Sequence, residues 1–531
     1  MRETFISLIT LCSCAALNPG VDAGAIEDAG AWGDAGPGAI ATCGDGAQLD
    51  AGVVVTATGA IQGALRDGVW SYLGIPYASP PTGPRRFRPP EPAVCWAGVR
   101  DATAFGPVCP QLGDDGGFRG DEDCLTLNVW TKGGEGAPVL VFLHGGGNTQ
   151  GSSSEPTYEG TALVNRGAVV VTLNYRLGAL GFFANPALDS ESDAGVSGNY
   201  GVLDQQLALR WVRDNVGRFG GDASRVLVFG ESAGGVDTIV HLVAPGSQGL
   251  FSSALVESGG IYKPTLAEAE VQDQSVVTGA GCGGAADLVG CLRSAQAETL
   301  VRVPSEVGPL SPGLHYAPVI DGVVIPANPL ELVKQGRHHH VPVVIGSNAD
   351  ETSRQVPPVK TSAEYEAAIR AMYSPVATEL LAHYPADTFG TPRETLVRVT
   401  TDITWTCSVR RLARALAANQ TQPVFRYFFT WRPPGAVGAV VGASHAIEIP
   451  FVFRTFAAVG FTPDATALGL SEAIEGYWTR LAATGDPNQP AAVAWPQYPA
   501  SGDPALELGA TMRPLTSVRT SDCDFIDSLI P

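Results

Sequence analysis

The chain reads as an α/β protein, with a central, mostly parallel sheet flanked by helices in a single large domain. Three observations carry that reading. From about Cys43 onward, short β-branched runs alternate with stretches of helical apolar spacing, the pattern of strands joined by crossover helices. Val226-Leu227-Val228-Phe229 runs straight into Gly230-Glu231-Ser232-Ala233-Gly234, which reads as a strand turning sharply into a helix with a serine at the apex. No linker-like break divides the sequence from 43 to 531.

Taken in order, the first segment is of another kind. Met1-Arg2, the apolar stretch Phe5 to Leu11 and the small residues around Cys12-Ser13-Cys14 read as an export signal over 1–14. Leu11-Cys12-Ser13-Cys14 has the form of a bacterial lipobox, which makes Cys14 the expected lipidation site and a membrane the expected partner; plain secretion is the alternative. In 15–42, Asp22-Ala23-Gly24, Asp28-Ala29-Gly30 and Asp34-Ala35-Gly36 recur with almost no large apolar side chains. Such a segment cannot bury enough surface to offset its ordering entropy, so a disordered tether is expected.

The domain proper spans 43–531. Val53 to Thr58 and Gly68 to Gly74 read as a hairpin region. Val139 to Leu143 is a buried strand ending in His144-Gly145-Gly146-Gly147, and Ala168 to Leu173, Val226 to Phe229 and Ala254 to Glu257 are further strands. Leu203 to Val216 is helical by its spacing of Leu203, Leu207, Trp211 and Val212. Strands at Val341 to Ile345 and Val424 to Tyr427, and helices at Val376 to Tyr384 and Ser471 to Ala483, complete the pattern.

Composition bounds the function. Of 531 residues, 45% are hydrophobic and 16% charged, enough apolar material for a large core. A formal charge of −20 disfavours nucleic acid as a partner, since phosphate binding needs a basic surface. The body has no apolar run of the length that spans a bilayer. Beyond the N-terminal signal the cysteines form an even set, Cys43, Cys95, Cys109, Cys124, Cys282, Cys291, Cys407 and Cys523, which suggests disulfides in an exported protein without assigning them. None has metal-ligand spacing, and His338-His339-His340 reads as a solvated loop ahead of a strand, so neither metal nor cofactor is expected.

A serine at such an apex needs a base. His383 ends a helical stretch, whereas His445 lies in the small-residue loop Gly442-Ala443-Ser444-His445-Ala446, where a catalytic imidazole belongs. The serine-acid-histidine order of α/β-hydrolases places the acid after the strand Val341 to Ile345, at Asp350 or Glu351; spacing does not choose between them. Gly145-Gly146-Gly147 after a strand can bring bare backbone N–H groups to a developing oxyanion, together with that of Ala233.

With these residues in hand, the chain resembles the type-B carboxylesterase/lipase family, which includes cholinesterases and bacterial para-nitrobenzyl esterases. Further segments carry the resemblance over nearly all of 53–529: Gly74-Ile75-Pro76-Tyr77-Ala78, Arg86-Phe87, Glu122-Asp123-Cys124-Leu125-Thr126-Leu127-Asn128-Val129-Trp130, Asn174-Tyr175-Arg176 and Phe219-Gly220-Gly221-Asp222. The resemblance implies a serine esterase working through Ser232, Glu351 and His445, with Gly146, Gly147 and Ala233 as oxyanion donors. It places Ser258 behind Glu351, and Glu231 and Glu448 around the triad. It also implies disulfides Cys109–Cys124, Cys282–Cys291 and Cys407–Cys523, which leaves Cys43 and Cys95 as a pair not recognised in the family.

Two features depart from the family. Asn148 stands where many members carry an aromatic residue. The loop between Cys109 and Cys124 holds 14 residues, is acidic (Asp114, Asp115, Asp121) and has Phe118 as its sole aromatic. Choline esters, which need a cation–π partner, and interfacial lipase activity, which needs a long apolar lid, are therefore not expected. The expected substrate is a small-molecule ester; a lipase, an amidase, a lactone hydrolase or a non-catalytic binding module are the alternatives.

Overall fold

Apolar residues on alternate sides of the same strands decide the architecture, because a strand that is apolar on both faces must be covered on both. The structure, a computed structural model, describes residues 51–260, 264–303, 316–499 and 501–529. The expected export signal, Cys14, the 15–42 segment and Cys43 lie outside the described residues.

The large sheet comprises β1 (Ala64–Arg66), β2 (Val69–Pro76), β3 (Thr126–Thr131), β4 (Ala137–Leu143), β5 (Val169–Leu173), β6 (Gly221–Glu231), β7 (Ser253–Glu257), β8 (Val343–Asn348), β9 (Val424–Phe429), β10 (Ala505–Leu508) and β11 (Arg513–Leu515). Their order is β11-β10-β9-β8-β7-β6-β4-β5-β3-β2-β1. From β5 through β4, β6, β7, β8 and β9 to β10, neighbours pair in parallel, while β1–β2, β2–β3, β3–β5 and β10–β11 are antiparallel. The chain passes from β4 to β5 on one side and then to β6 on the other, so a topological switch falls at β4.

In β4, Val139, Val141 and Leu143 join one core, whereas Leu140 and Phe142 join another; β6 splits Val226 and Val228 from Leu227 and Phe229 in the same way. The first core is closed by α1 (Tyr200–Asn215), α2 (Ala233–Val243) and α3 (Cys407–Asn419), and the second by α4 (Ala465–Thr484). The result is a three-layer α/β/α sandwich. α4 begins six residues before the predicted helix: the Asp464 side chain caps the Ala467 N–H and starts it earlier.

The strands expected within 139–429 are present with small shifts of their ends, but the two segments expected in one N-terminal hairpin region part company: Val53–Thr56 pairs with Gly59–Gln62 in a small separate sheet, whereas Val69–Pro76 pairs with Ala64–Arg66 in the large one. Another reading is corrected. The His338-His339-His340 run is not a solvated loop, since only His340 is exposed. His338 Nε2 lies 3.0 Å from Gln420 Oε1 and His339 Nε2 lies 2.9 Å from the Ala244 carbonyl, so two of the three rings pack inward as hydrogen-bonding partners.

Disulfides join Cys109 to Cys124, Cys282 to Cys291 and Cys407 to Cys523. Cys95 is also disulfide-bonded. Its expected partner is Cys43, which lies outside the described residues.

Candidate active site

The C-terminal ends of β4, β6, β7, β8 and β9 open on one edge of the sheet, and the residues predicted for the triad, the oxyanion hole and their surroundings lie at or after these ends. At the end of β6, Ser232 takes φ 59° and ψ −118°, and α2 starts at the next residue. This left-handed backbone is costly for a residue with a side chain, on the order of 1–3 kcal/mol. The flanking glycines make the turn sterically possible. A Cβ on Gly230 would meet the Gly234 carbonyl oxygen at 2.4 Å, and one on Gly234 would meet the Leu143 carbonyl oxygen at 2.0 Å.

The glycine loop leaves β4 and bends back toward the elbow. Gly146 has φ 108°, and a Cβ there would lie 2.2 Å from the Gln150 carbonyl oxygen. Ala233 opens α2, so its N–H has no partner within the helix and carries the positive end of the helix dipole. Gly146, Gly147, Ala233, Ser232 and His445 all line one cleft of about 510 Å³.

His445 sits in the loop after β9 and is held by the segment after β8. Its backbone N–H donates to the Glu351 carbonyl (3.1 Å), and its Nδ1 is 2.6 Å from Glu351 Oε2. Glu351 Oε1 accepts from Ser258 Oγ at 2.6 Å and from the Asn348 N–H at 2.7 Å. Asp350 is engaged elsewhere: it accepts from the Ala443 N–H at 2.8 Å and pairs with Arg432 at 2.9 Å. Geometry thus separates the two acids that spacing left open. Asp350 shapes the loop, and Glu351 meets the imidazole.

His445 Nε2 lies 3.2 Å from Glu231 Oε1, but Oε1 has no hydrogen-bond partner, so this contact lacks the angle of a hydrogen bond. None joins Ser232 Oγ to His445 among the described residues; such catalytic bonds commonly tighten only with substrate in place. Burial alone would lower the His445 pKa, but Glu231 and Glu351, with Glu448 behind them, outweigh it and raise it. Burial pushes Glu231 up to about 7 and Glu448 up to about 8. Glu448 accepts from Asn348 Nδ2, which also donates to the Ser444 carbonyl at 2.9 Å.

Two neighbours had no sequence signal. Trp405 packs against the imidazole in a tilted arrangement, ring centroids 4.6 Å apart and planes at 31°, from a π-helical turn over Asp402–Thr406. Glu257, at the end of β7, is wholly buried and accepts from Trp478 Nε1 at 3.1 Å. Conversely, Phe118 is not among the cleft-lining residues; Asp114 and Arg119 of the same disulfide loop are.

Residues 50–526 match the model of the Carboxylesterase family. The chain belongs to that family. It is 35% identical over 473 residues to a fumonisin B1 esterase of Sphingopyxis macrogoltabida, covering 84% of this chain and 85% of the relative. Over 470 residues it is 35% identical to a para-nitrobenzyl esterase of Bacillus subtilis (strain 168), covering 84% and 92%. Among solved structures, a PNB esterase superposes with a TM-score of 0.78 at 32% identity, covering 89% of this chain and 99% of the other. A carboxylesterase of Geobacillus stearothermophilus gives 0.78 at 33% identity over the same shares. This carboxylesterase is therefore a serine hydrolase of carboxylic esters on an α/β-hydrolase fold.

Proposed function

We propose that Ser232 is the nucleophile, His445 the general base and acid, and Glu351 the carboxylate that orients and charges-balances the imidazole. The observation that carries this is the 2.6 Å Glu351–His445 contact, at a histidine that shares one cleft with the elbow serine. With Nδ1–H committed to Glu351, Nε2 is left to take a proton. Ser232 Oγ adds to the ester carbonyl as its proton passes to Nε2. The carbonyl oxygen becomes an oxyanion, held by the N–H groups of Gly146, Gly147 and Ala233. Collapse breaks the C–O bond, and the alkoxide leaves with the proton from Nε2. Water then attacks the acyl-enzyme by the same route, releasing the acid and restoring Ser232.

The substrate we infer is a small ester with a short acyl chain. The short, acidic disulfide loop brings Asp114 and Arg119, not an apolar lid, to the cleft. A relative named para-nitrobenzyl esterase supports an ester over an amide. Hydrolysis of para-nitrophenyl esters from acetyl to palmitoyl, with Ser232→Ala alongside, tests the reading. Activity should peak at short chains, and the variant should fall by more than about a thousandfold. A peak at palmitoyl would overturn the substrate class, and turnover in the variant within about tenfold of wild type would overturn the nucleophile.

We further propose that the enzyme is exported and anchored through a lipid on Cys14, a reading supported by the lipobox-like Leu11-Cys12-Ser13-Cys14 and by the disulfides. Cys14→Ser should move the protein from the membrane to the soluble fraction. An unchanged soluble distribution would exclude the anchor.

A further inference from the structure

One buried carboxyl close to the site has no part in the chemistry above. Asp237 lies on α2, one turn beyond Ala233, and is fully buried. Its Oδ2 accepts from Gln205 Nε2 at 2.6 Å. Gln205 Oε1 faces His241 Nε2 at 3.0 Å, His241 Nδ1 faces Ser247 Oγ at 2.8 Å, and Gln206 Nε2 donates to Ser247 Oγ at 3.1 Å.

The chemistry of the chain fixes its direction. An amide oxygen only accepts, so His241 carries its proton on Nε2 and accepts from Ser247 at Nδ1. Burial keeps this imidazole neutral, down to about 3. Gln205 must then turn its NH₂ toward Asp237. Asp237 is the acceptor end of the network, and its second oxygen, Oδ1, is buried with no hydrogen-bond partner of its own.

The donor beside it is Asn148, the residue directly after Gly147. Asn148 is 2% exposed and has φ 55°, a backbone that asparagine tolerates better than most residues. Its carbonyl accepts from the Gly178 N–H at 2.6 Å, and its Oδ1 accepts from Tyr175 Oη at 3.3 Å. Tyr175 Oη also lies 2.7 Å from the carbonyl of His144, at the other end of the glycine run, and its ring stacks on the His144 ring at 4.5 Å. With Oδ1 turned to Tyr175, the Asn148 NH₂ is the end available to Asp237. Burial pushes the Asp237 carboxyl up to about 7, while the Gln205 and Asn148 amides favour its charged form.

We propose that Asp237 and Asn148 form a clamp between α2 and the glycine loop that sets the spacing of the oxyanion donors. The Ala233 N–H rides on α2, and the Gly146 and Gly147 N–H groups ride on the loop. Neither half reaches the oxyanion at 2.7–3.1 Å unless the other is held in register. Asp237 is thus a positioning residue, acting through Asn148. The proposal rests on the assignment of those three N–H groups as the oxyanion donors.

The test exchanges the pair. Asn148→Asp sets a second carboxyl against Asp237, and Asn148→Asp with Asp237→Asn restores one amide and one carboxyl in reversed order. The readouts are kcat and KM on para-nitrophenyl acetate, and affinity for a trifluoromethyl ketone that forms a tetrahedral adduct. In Asn148→Asp, kcat should fall about 10- to 100-fold with KM within about threefold, and ketone affinity should fall in parallel. The double variant should return kcat to within about threefold of wild type. Unchanged kcat in Asn148→Asp, or losses that simply multiply in the double variant, would overturn the clamp. A fall and recovery of kcat with ketone affinity unchanged would instead overturn the oxyanion assignment, and the proposal with it. If Asn148→Asp does not fold, Asn148→Ala removes the amide without adding charge, and wild-type kcat there would equally overturn the clamp.

Discussion

Around the His445 imidazole stand Glu231, Glu351 and Glu448, and each added negative charge makes the imidazolium easier to form. A general base works only when deprotonated, so a neighbour that raises its pKa moves the acid limb of the rate profile to higher pH. Glu231→Gln removes one such charge, and the acid limb of kcat/KM should shift to lower pH. A pH–rate series on wild type and variant checks the direction, and an unmoved limb would show that Glu231 carries no charge when His445 titrates. At this scale the sequence was legible where chemistry is local. Ser232 and Ala233 sit in one pentapeptide, and His445 in one small-residue loop. The acid was not legible by spacing, because Asp350 and Glu351 follow the same strand and only the tertiary contacts with Arg432 and Ser258 part them. Trp405, Glu257 and Asp237 gave no signal, because each reaches the site through folding and not through a motif.

The elements supply the rigidity that holds these groups. Gly234 packs with its Cα against the end of β4, and Gly234→Ala would drive a methyl into the Leu143 carbonyl. It should cost about 1–3 kcal/mol in a denaturant titration, and kcat should fall with it because the elbow moves. The C-terminal helix Thr520–Leu529 is held by the Cys407–Cys523 disulfide, by Asp503 through Thr520, and by ion pairs of Asp522, Asp524 and Asp527 with Arg398, Arg410 and Arg411. The disulfide closes a span of 116 residues, and losing it through Cys407→Ala with Cys523→Ala should cost about 5 kcal/mol in the chain-entropy account.

Asp503 accepts from Arg410 (3.0 Å), Arg414 (3.0 Å), Tyr498 (2.6 Å) and Thr520 (2.7 Å), and Arg410 is wholly buried. Burial would raise the Asp503 pKa, but the Arg410, Tyr498 and Thr520 hydrogen bonds outweigh it and bring it down to about 2. A carboxyl lowered on folding stabilises above its unfolded value, and that contribution is lost as pH falls toward about 2. Asp503→Asn should destabilise by about 1.5–3 kcal/mol at neutral pH, since Arg410 loses its buried carboxylate but keeps Asp524 and Asp527, and the difference from wild type should narrow on acidification. Among the elements, β3 escaped assignment as a strand because Thr126, Asn128 and Thr131 interrupt its apolar pattern. Asn128 is buried there only because Ser153, Thr172 and the Gly74 N–H take up its amide. The alternating strands β4 to β9 were legible because both faces are apolar and the period is plain.

At the scale of the molecule, the parallel run of β4, β6, β8 and β9 is what assembles residues far apart in sequence. Each strand delivers one functional segment to the same edge, and the nucleophile and glycine loops flank the switch point at β4. The disulfide loop contributes two charged residues, Asp114 and Arg119, to the lining of the cleft. Phe118, the one aromatic residue of that loop, does not line the cleft, so esters of neutral alcohols with short acyl chains should exceed choline esters in kcat/KM by about tenfold or more. A choline ester hydrolysed as well as its neutral counterpart would contradict this. The central claim is that Ser232 is the nucleophile, and its most direct test is labelling with a fluorophosphonate followed by peptide mass mapping. One phosphonyl adduct on the peptide carrying Ser232, absent from Ser232→Ala and accompanied by complete loss of esterase activity, is the predicted result. Full inactivation with the adduct on another residue, or ester turnover that persists after Ser232 is stoichiometrically labelled, would contradict it.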